Sequence, residues 1–78
     1  MYPTLSTPVR SCEGYSFENI DTQSQHVIIR QLASYLGTTI ETAESIARTL
    51  YFDPFYEGDA LMVRYRISDY IKKLYTIT

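Results

Sequence analysis

Few side chains in this 78-residue chain are of types that carry out chemistry, and they do not form a familiar site. The single histidine, His26, and the single cysteine, Cys12, are separated by a glycine-containing segment, so they predict neither a metal cluster nor a preorganised nucleophile and base. The three glycines, at positions 14, 37 and 58, never cluster, which excludes a phosphate-binding loop. We interpret Glu57 and Asp59 as part of a loop and a helix cap rather than as a general acid and base. We therefore predict no catalytic residue, no metal ligand and no cofactor, and we interpret the protein as one that is not an enzyme.

The balance of charge and hydrophobicity narrows the class of protein further. Seven Lys and Arg residues stand against nine Asp and Glu residues, which gives a net charge of −2 and argues against a protein that gains affinity by neutralising many phosphates. Apolar residues make up 45% of the chain and charged residues 21%, as in soluble globular domains. A lone cysteine in so small a domain is typical of a reducing compartment, and no apolar segment is long enough to span a membrane. We expect a cytoplasmic protein with no membrane partner.

Aromatic residues are the feature that points to a function, because eight tyrosines and three phenylalanines exceed what a core of this size can bury. Four of the eleven fall within residues 51–56. Tyrosine combines a large rigid ring with a hydroxyl that tolerates water, and it is enriched at protein interfaces. We predict that Tyr51, Phe55 and Tyr56 contact a partner protein, which includes a second copy of this chain as a homodimer, whereas Phe52 packs in the core.

The elements that must position these residues begin with an arm and a helix. Residues 1–20 contain two prolines and follow no hydrophobic period, so we expect an extended N-terminal arm packed on a single helical domain at 21–78. The residues of the arm expected to lie on the domain are Tyr15, Phe17 and Ile20. Asp21 is the predicted N-cap of a helix over 22–36, and Gly37 is predicted to end it in a left-handed conformation.

A second helix is predicted over 39–51, where apolar residues again recur every three or four positions. Thr38 and Glu41 are spaced as a capping box at its start. Glu41 and Glu44 lie on its polar face, and we include both in the candidate protein-binding surface. The segment 52–59 that follows contains Asp-Pro and Gly-Asp pairs, which predict a loop.

The last segment, 60–78, fits two secondary structures, and the choice between them decides the fold. As a helix capped by Asp59, it places Val63 and Ile67 on one stripe that continues to residue 74. As a strand, it alternates apolar residues with Arg64 and Arg66, and it needs a partner strand. We favour the helix over about 59–75, which predicts an all-α domain of three helices with an extended arm. The alternative is a winged helix-turn-helix with a short β-hairpin at about 51–67.

Residues 28–75 resemble the winged helix-turn-helix of excisionases and MerR-type regulators. The resemblance is carried by the run from Gln31 to Gly37, by a second helix that contains Thr42, Ile46 and Ala47, and by the run from Arg64 to Ser68. It implies a DNA-binding regulator with Arg64 and Arg66 in the wing, where strand geometry would project both from the same face. The chain departs from the family by exposing Glu41 and Glu44 where the family has a basic recognition helix, and by replacing the Gly and Pro of the wing turn with the aromatic segment.

These patterns together predict a small acidic, non-enzymatic protein-binding factor that acts through its aromatic surface. Such a factor is an adaptor or an inhibitor of the kind that phages and mobile elements encode. The alternative function is DNA binding through Arg64 and Arg66, and nucleic acid is expected as a partner only in that case.

Overall fold

The structure, a computed structural model, describes residues 4–68 and 71. Two helices and a three-stranded antiparallel sheet make up the described part of the chain, so the domain belongs to the α+β class. The elements, in chain order, are strand β1 (Thr4–Pro8), one turn of 3-10 helix (Phe17–Asn19), helix α1 (Thr22–Leu36), helix α2 (Ile40–Ala47), strand β2 (Phe52–Glu57) and strand β3 (Ala60–Arg66).

Local sequence signals account for both helices. The Asp21 side chain accepts a hydrogen bond from the Ser24 N–H, so Asp21 is the N-cap of α1 as predicted. Gly37 ends α1 with a φ of 66°, a left-handed conformation that glycine adopts without a Cβ clash, and this prediction is also confirmed. In α2 the N-cap is Thr39 rather than Thr38, and the helix ends at Ala47 rather than at residue 51.

The sheet has the strand order β1-β3-β2, with β3 between two edge strands. β2 and β3 form a hairpin through Gly58 and Asp59, and Gly58 has a φ of 63°. Glycine at the first position of a two-residue hairpin turn matches the twist of the flanking strands. In the register, Tyr65 of β3 lies between Leu5 of β1 and Phe52 of β2.

The core lies between one face of this sheet and the two helices. The inner face contributes the fully buried side chains of Phe52, Val63 and Tyr65, and α1 and α2 cover them with apolar residues at helical spacing. One buried polar cluster joins three elements: the Gln31 side-chain oxygen of α1 accepts hydrogen bonds from the Thr7 hydroxyl of β1, at 2.7 Å, and from the Tyr65 hydroxyl of β3. Since this cluster satisfies each of its members, it fixes β1 against the helix layer without leaving a buried polar atom unpaired.

The all-α prediction is wrong, because residues 60–66 form β3 instead of the first turns of a third helix. Asp59 therefore lies in a hairpin turn and caps no helix. The Ser68 hydroxyl accepts a hydrogen bond from the Ile71 N–H at 3.2 Å, as an N-cap does. The other residues of the predicted helix beyond 68 lie outside the described residues.

The partner strands of β3 come from two segments that the sequence patterns assigned to a loop and an arm. Residues 52–57, which were predicted as loop because of Pro54, form β2. Proline is compatible with an edge strand where the position of its missing N–H faces away from the neighbouring strand. The segment Thr4–Pro8 of the expected arm is the other edge strand, β1. Phe17 and Ile20 are buried as predicted, whereas the Tyr15 side chain is 58% exposed.

Candidate binding surface

The helices cover only one face of the sheet, and the opposite face carries the candidate site. Because side chains alternate along a strand, the residues on this opposite face follow from the register. We call it the outer face, and it comprises Thr4, Ser6, Pro8, Asp53, Phe55, Glu57, Ala60, Met62, Arg64 and Arg66. Tyr51 has the same parity as Asp53 and extends this face beyond the start of β2. Within residues 4–68 and 71, neither helix covers this face, on which Phe55 and Met62 are half-buried and the other strand residues are exposed.

Two arginines, Arg64 in the middle of β3 and Arg66 at its end, lie on the outer face. Both Arg64 and Arg66 are exposed, and neither forms an ion pair with any other residue in the described part of the chain. The Arg64 guanidinium carbon lies 4.3 Å from the centroid of the Phe55 ring, which is a cation–π contact. Arg48, near the end of α2, is the opposite case, because its guanidinium pairs with two carboxylates at 2.8 Å. The outer face therefore presents cationic groups that are free to pair with a ligand.

A pair of stacked tyrosines borders these arginines. The rings of Tyr15 and Tyr51 have centroids 5.1 Å apart and planes inclined by 25°, and each side chain is 58% exposed. The Tyr15 carbonyl accepts a hydrogen bond from the Phe52 N–H at 2.8 Å, which holds the two rings beside the start of β2. Desolvation, followed by the proximity of Tyr15 and Asp53, raises the pKa of Tyr51. A tyrosine hydroxyl is protonated at neutral pH even without this shift, so Tyr51 can donate a hydrogen bond.

A shallow cleft lies where these groups meet. It is lined by Thr4, Tyr51, Asp53, Arg64, Tyr65 and Arg66, and its volume is about 320 Å³. This volume is at the lower end of the range for ligand pockets, and five of the six lining residues are exposed. The cleft has room for one anionic or aromatic side chain of a partner, which the guanidiniums and the Tyr51 ring would contact.

The structure brings together some of the predicted site residues and separates others. Tyr51 and Phe55 share the outer face with the two arginines. Tyr56 is 71% exposed but lies on the opposite side of the strand, opposite Leu61 of β3. The remaining two, Glu41 and Glu44, lie on α2, where Glu44 already pairs with Arg48. The predicted set therefore does not form one surface.

Met62 and Tyr15 are among the residues of this surface that sequence reasoning missed. Met62 lies between Phe55 and Pro8 in the register, and the alternation of residues 62, 64 and 66 carried the signal for it. Tyr15 joins the surface only through its stack on Tyr51, and no sequence spacing indicates that contact.

Comparisons with protein-family models, with curated proteins and with solved structures found no match. Within residues 4–68 and 71, no helix is long and apolar enough to cross a membrane. The same residues contain no group of three or more His, Cys, Asp or Glu side chains arranged to hold a metal ion. A functional assignment therefore depends on the chemistry of the outer face.

Proposed function

We propose that this protein is a non-enzymatic protein-binding factor, an adaptor or an inhibitor, that contacts its partner through the outer face of its sheet. The observation that supports this proposal most directly is the concentration of aromatic rings and unpaired guanidiniums on a face that the helices leave uncovered. Tyrosine and arginine are enriched at the centres of protein interfaces, where each supplies a large contact area together with a hydrogen-bond donor.

The contacts within the surface favour binding because they hold its side chains in place before a partner arrives. Stacking on Phe55 orients the Arg64 guanidinium, and stacking on Tyr15 orients the Tyr51 ring. Side chains that are already ordered lose less conformational entropy on association. Arg64 and Tyr51 are therefore the expected centres of binding energy, and the complementary partner surface carries acidic and apolar groups.

The same side chains contribute little to the fold, which makes the proposal testable by substitution. Tyr51, Arg64 and Arg66 are exposed, and none belongs to the buried core. We expect each substitution to change the free energy of unfolding by less than about 0.5 kcal/mol relative to the parent protein. A loss of binding in such a variant then reports the contact itself.

Site-specific photocrosslinking tests where a partner binds. A benzoylphenylalanine replaces either Tyr51, on the outer face, or Tyr56, which is exposed on the opposite side of the same strand. Each protein is irradiated in a nuclease-treated extract of the cells that produce it. We expect a discrete protein adduct from position 51 and none from position 56. Equal adducts from both positions would show that the outer face is not the contact surface.

Competition shows whether the adduct depends on the arginines. Excess unlabelled wild-type protein is expected to suppress the adduct, whereas an equal excess of the double variant Arg64→Ala with Arg66→Ala is not. Glu41→Ala is the matched control, because Glu41 is equally exposed but lies on α2 on the other side of the sheet. If the double variant competes as well as the wild type, the arginines do not contribute to binding and the proposal is wrong.

DNA binding is the second candidate, and the β2–β3 hairpin favours it. The hairpin follows two helices joined by a short turn, and it projects Arg64 and Arg66 from one face. Against it, the turn of the hairpin has acidic residues on both sides of Gly58, and α2 exposes Glu41 at its first turn. These carboxylates would repel phosphates wherever the hairpin tip or α2 approached a duplex. Submicromolar binding to duplex DNA at about 150 mM salt, abolished by the double arginine variant, would favour this candidate over the protein-binding proposal.

A further inference from the structure

The two edges of the sheet differ in how their backbone groups are satisfied. On the β2 edge, the outward N–H of Phe52 donates to the Tyr15 carbonyl at 2.8 Å, and Pro54 has no N–H to offer. A strand added at this edge would find the Phe52 N–H already bonded. Two residues later it would face the Pro54 ring, which has no N–H to donate. The β2 edge is therefore closed to strand addition by devices that natural edge strands commonly use.

The hydrogen-bond pattern identifies which backbone groups of β1 face outward. The Val9 N–H donates to the Leu61 carbonyl at 2.9 Å, so Val9 and, by the two-residue period, Thr7 and Leu5 direct their backbone groups toward β3. The outward N–H of Phe52 leads to the same assignment. Because the backbone groups of Phe52 face away from β3, those of Tyr65, its partner in the register, face β1 and therefore Leu5. Thr4 and Ser6 therefore direct their N–H and C=O groups away from the sheet.

This outward edge of β1 is unprotected. Within the described residues, the amides of Thr4 and Ser6 have no hydrogen-bond partner, and both residues are exposed. β1 carries no charged side chain, which is the usual guard of an edge strand. Pro8 has no N–H at its outward position, but this prevents pairing only at the last residue of the strand.

We propose that a second copy of this chain pairs antiparallel with the β1 edge, which joins the two sheets into one of six strands. In the proposed register, Thr4 of each copy lies opposite Ser6 of the other, and the two Leu5 residues face each other across the two-fold axis. The four outward N–H groups of the two Thr4 and two Ser6 residues then meet four carbonyls. A register centred on Ser6 would instead press the Pro8 ring against the Thr4 carbonyl of the other copy.

Burial and charge both support a second copy as the occupant. Leu5 is half-buried and packs on the edge of the core cluster, so a facing Leu5 covers the apolar surface that remains exposed. An antiparallel copy of a strand that carries no charge brings no like charges together. Because the pairing involves only three residues of each copy, we expect a weak dimer with a dissociation constant of about 100 μM.

This inference goes beyond the proposed function and does not depend on it, since pairing along the edge leaves the outer face uncovered. Amide hydrogen exchange, followed residue by residue by NMR, tests it directly. We expect the Thr4 and Ser6 amides to exchange quickly at about 20 μM and roughly fourfold more slowly at about 1 mM, as the monomer fraction falls. The Leu5 and Thr7 amides, bonded to β3, should be protected at both concentrations. Unchanged exchange at Thr4 and Ser6 across this range would overturn the proposal.

Two variants at one position separate backbone pairing from other causes of association. Ser6→Pro removes the outward N–H but no bond to β3, so the fold should be retained while sedimentation shows a monomer at about 1 mM. Ser6→Val changes the side chain and keeps the N–H, so it should dimerise like the wild type. A dimer that persists in Ser6→Pro would place the contact elsewhere and refute the β1 interface. Tyr51→Ala should dimerise normally, so a failure of partner binding and a failure of dimerisation are distinguishable.

Discussion

The carboxylate of Asp21 joins the start of α1 to the segment that follows β1, and a single substitution tests this double role. One oxygen accepts a hydrogen bond from the Ser24 N–H at 3.1 Å, which is the N-cap contact. The other oxygen accepts from the N–H groups of Arg10, at 2.9 Å, and Ser11, at 3.2 Å. An asparagine in its place has only one oxygen, so its NH2 group must face backbone N–H donors on one of the two sides.

We therefore expect Asp21→Asn to destabilise the protein, although asparagine is as good an N-cap as aspartate in an ordinary helix. Desolvation raises the pKa of Asp21, but the hydrogen bonds from Ser24, Ser11 and Arg10 outweigh it and lower the pKa from 3.8 to about 2. A shift of this size corresponds to roughly 2 kcal/mol of stability. Because Asp21 is partly exposed, we discount this to about 1–2 kcal/mol for solvent screening.

The assay is urea denaturation of both proteins between pH 2 and pH 7. The folded-state pKa is lower than the unfolded-state pKa, so the contribution of the carboxylate is complete well above pH 3.8 and is lost as the pH falls toward about 2. The difference in unfolding free energy between wild type and variant should shrink across that window. A difference that stays constant with pH would show that the charge of Asp21 does not stabilise the fold.

Thr39→Asn is the matched control, because Thr39 caps α2 through a single acceptor oxygen bonded to the Thr42 N–H at 3.1 Å. Asparagine can provide that one oxygen, so this variant should change stability by less than about 0.5 kcal/mol. Equal losses from Asp21→Asn and Thr39→Asn would refute the reasoning, since the bonds to Arg10 and Ser11 would then contribute nothing beyond an ordinary cap.

Three further predictions concern the fold. Phe52 is fully buried, so Phe52→Ala should cost about 3–5 kcal/mol in chemical denaturation, whereas Tyr56→Ala, at a side chain that is 71% exposed, should cost less than about 1 kcal/mol. Gly37→Ala should cost about 1 kcal/mol because of the φ of 66°, although no atom lies within 4 Å of the added Cβ. Burial raises the pKa of Tyr65 to about 12, so its neutral form stabilises the fold below pH 10 and this contribution is lost as the pH rises toward 12. Alkaline urea titrations should show that loss in the wild type and not in Tyr65→Phe; the same loss in both would contradict it.

The parts of the fold that could be predicted are those determined by nearby residues. The bounds of α1 follow from an N-cap at Asp21, a stripe of apolar residues and a glycine at position 37, all within one segment. The burial of Phe17 and Ile20 was predictable because an arm with several large apolar residues is not stable in water. Each of these inferences needed only local information.

The three-stranded sheet could not be predicted because one of its two pairings, between β1 and β3, joins distant segments. Strand β3 needs β1, more than 50 residues earlier in the chain, and β1 has the composition of a linker. Strand β2 contains Pro54, and a proline in the sequence alone indicates a loop. Proline fits an edge strand only where the position of its missing N–H faces away from the neighbouring strand, here β3. Because neither partner strand was assigned, the four-residue spacing of Val63 and Ile67 favoured a helix. In the structure Val63 is buried within β3, and Ile67 is buried directly after the strand ends.

The same limitation explains the outcome for the candidate site. Consecutive aromatic residues were treated as one surface, but strand geometry places Phe55 and Tyr56 on opposite sides. The two arginines share a face only because residues 60–66 are extended, since on a helix they would lie about 200° apart. The sequence indicated which residue types form the candidate surface, whereas the secondary structure determined which of those residues share one face.

The distribution of charge on the hairpin favours the protein-binding proposal over DNA binding. The cationic side chains of the hairpin, Arg64 and Arg66, lie along the middle and base of β3, whereas its tip carries Glu57 and Asp59. A wing that inserts into DNA approaches the phosphates with its tip, where this protein would oppose like charges. A flat sheet face meets a protein surface broadside, so the aromatic rings and both guanidiniums can make contact while the acidic tip stays at the polar rim. Removing the tip charge that lies outside the outer face with Asp59→Asn should therefore leave partner crosslinking at position 51 unchanged, whereas a DNA-binding wing would gain affinity from the same change. A gain in duplex affinity without any protein adduct would reverse the order of the two candidates.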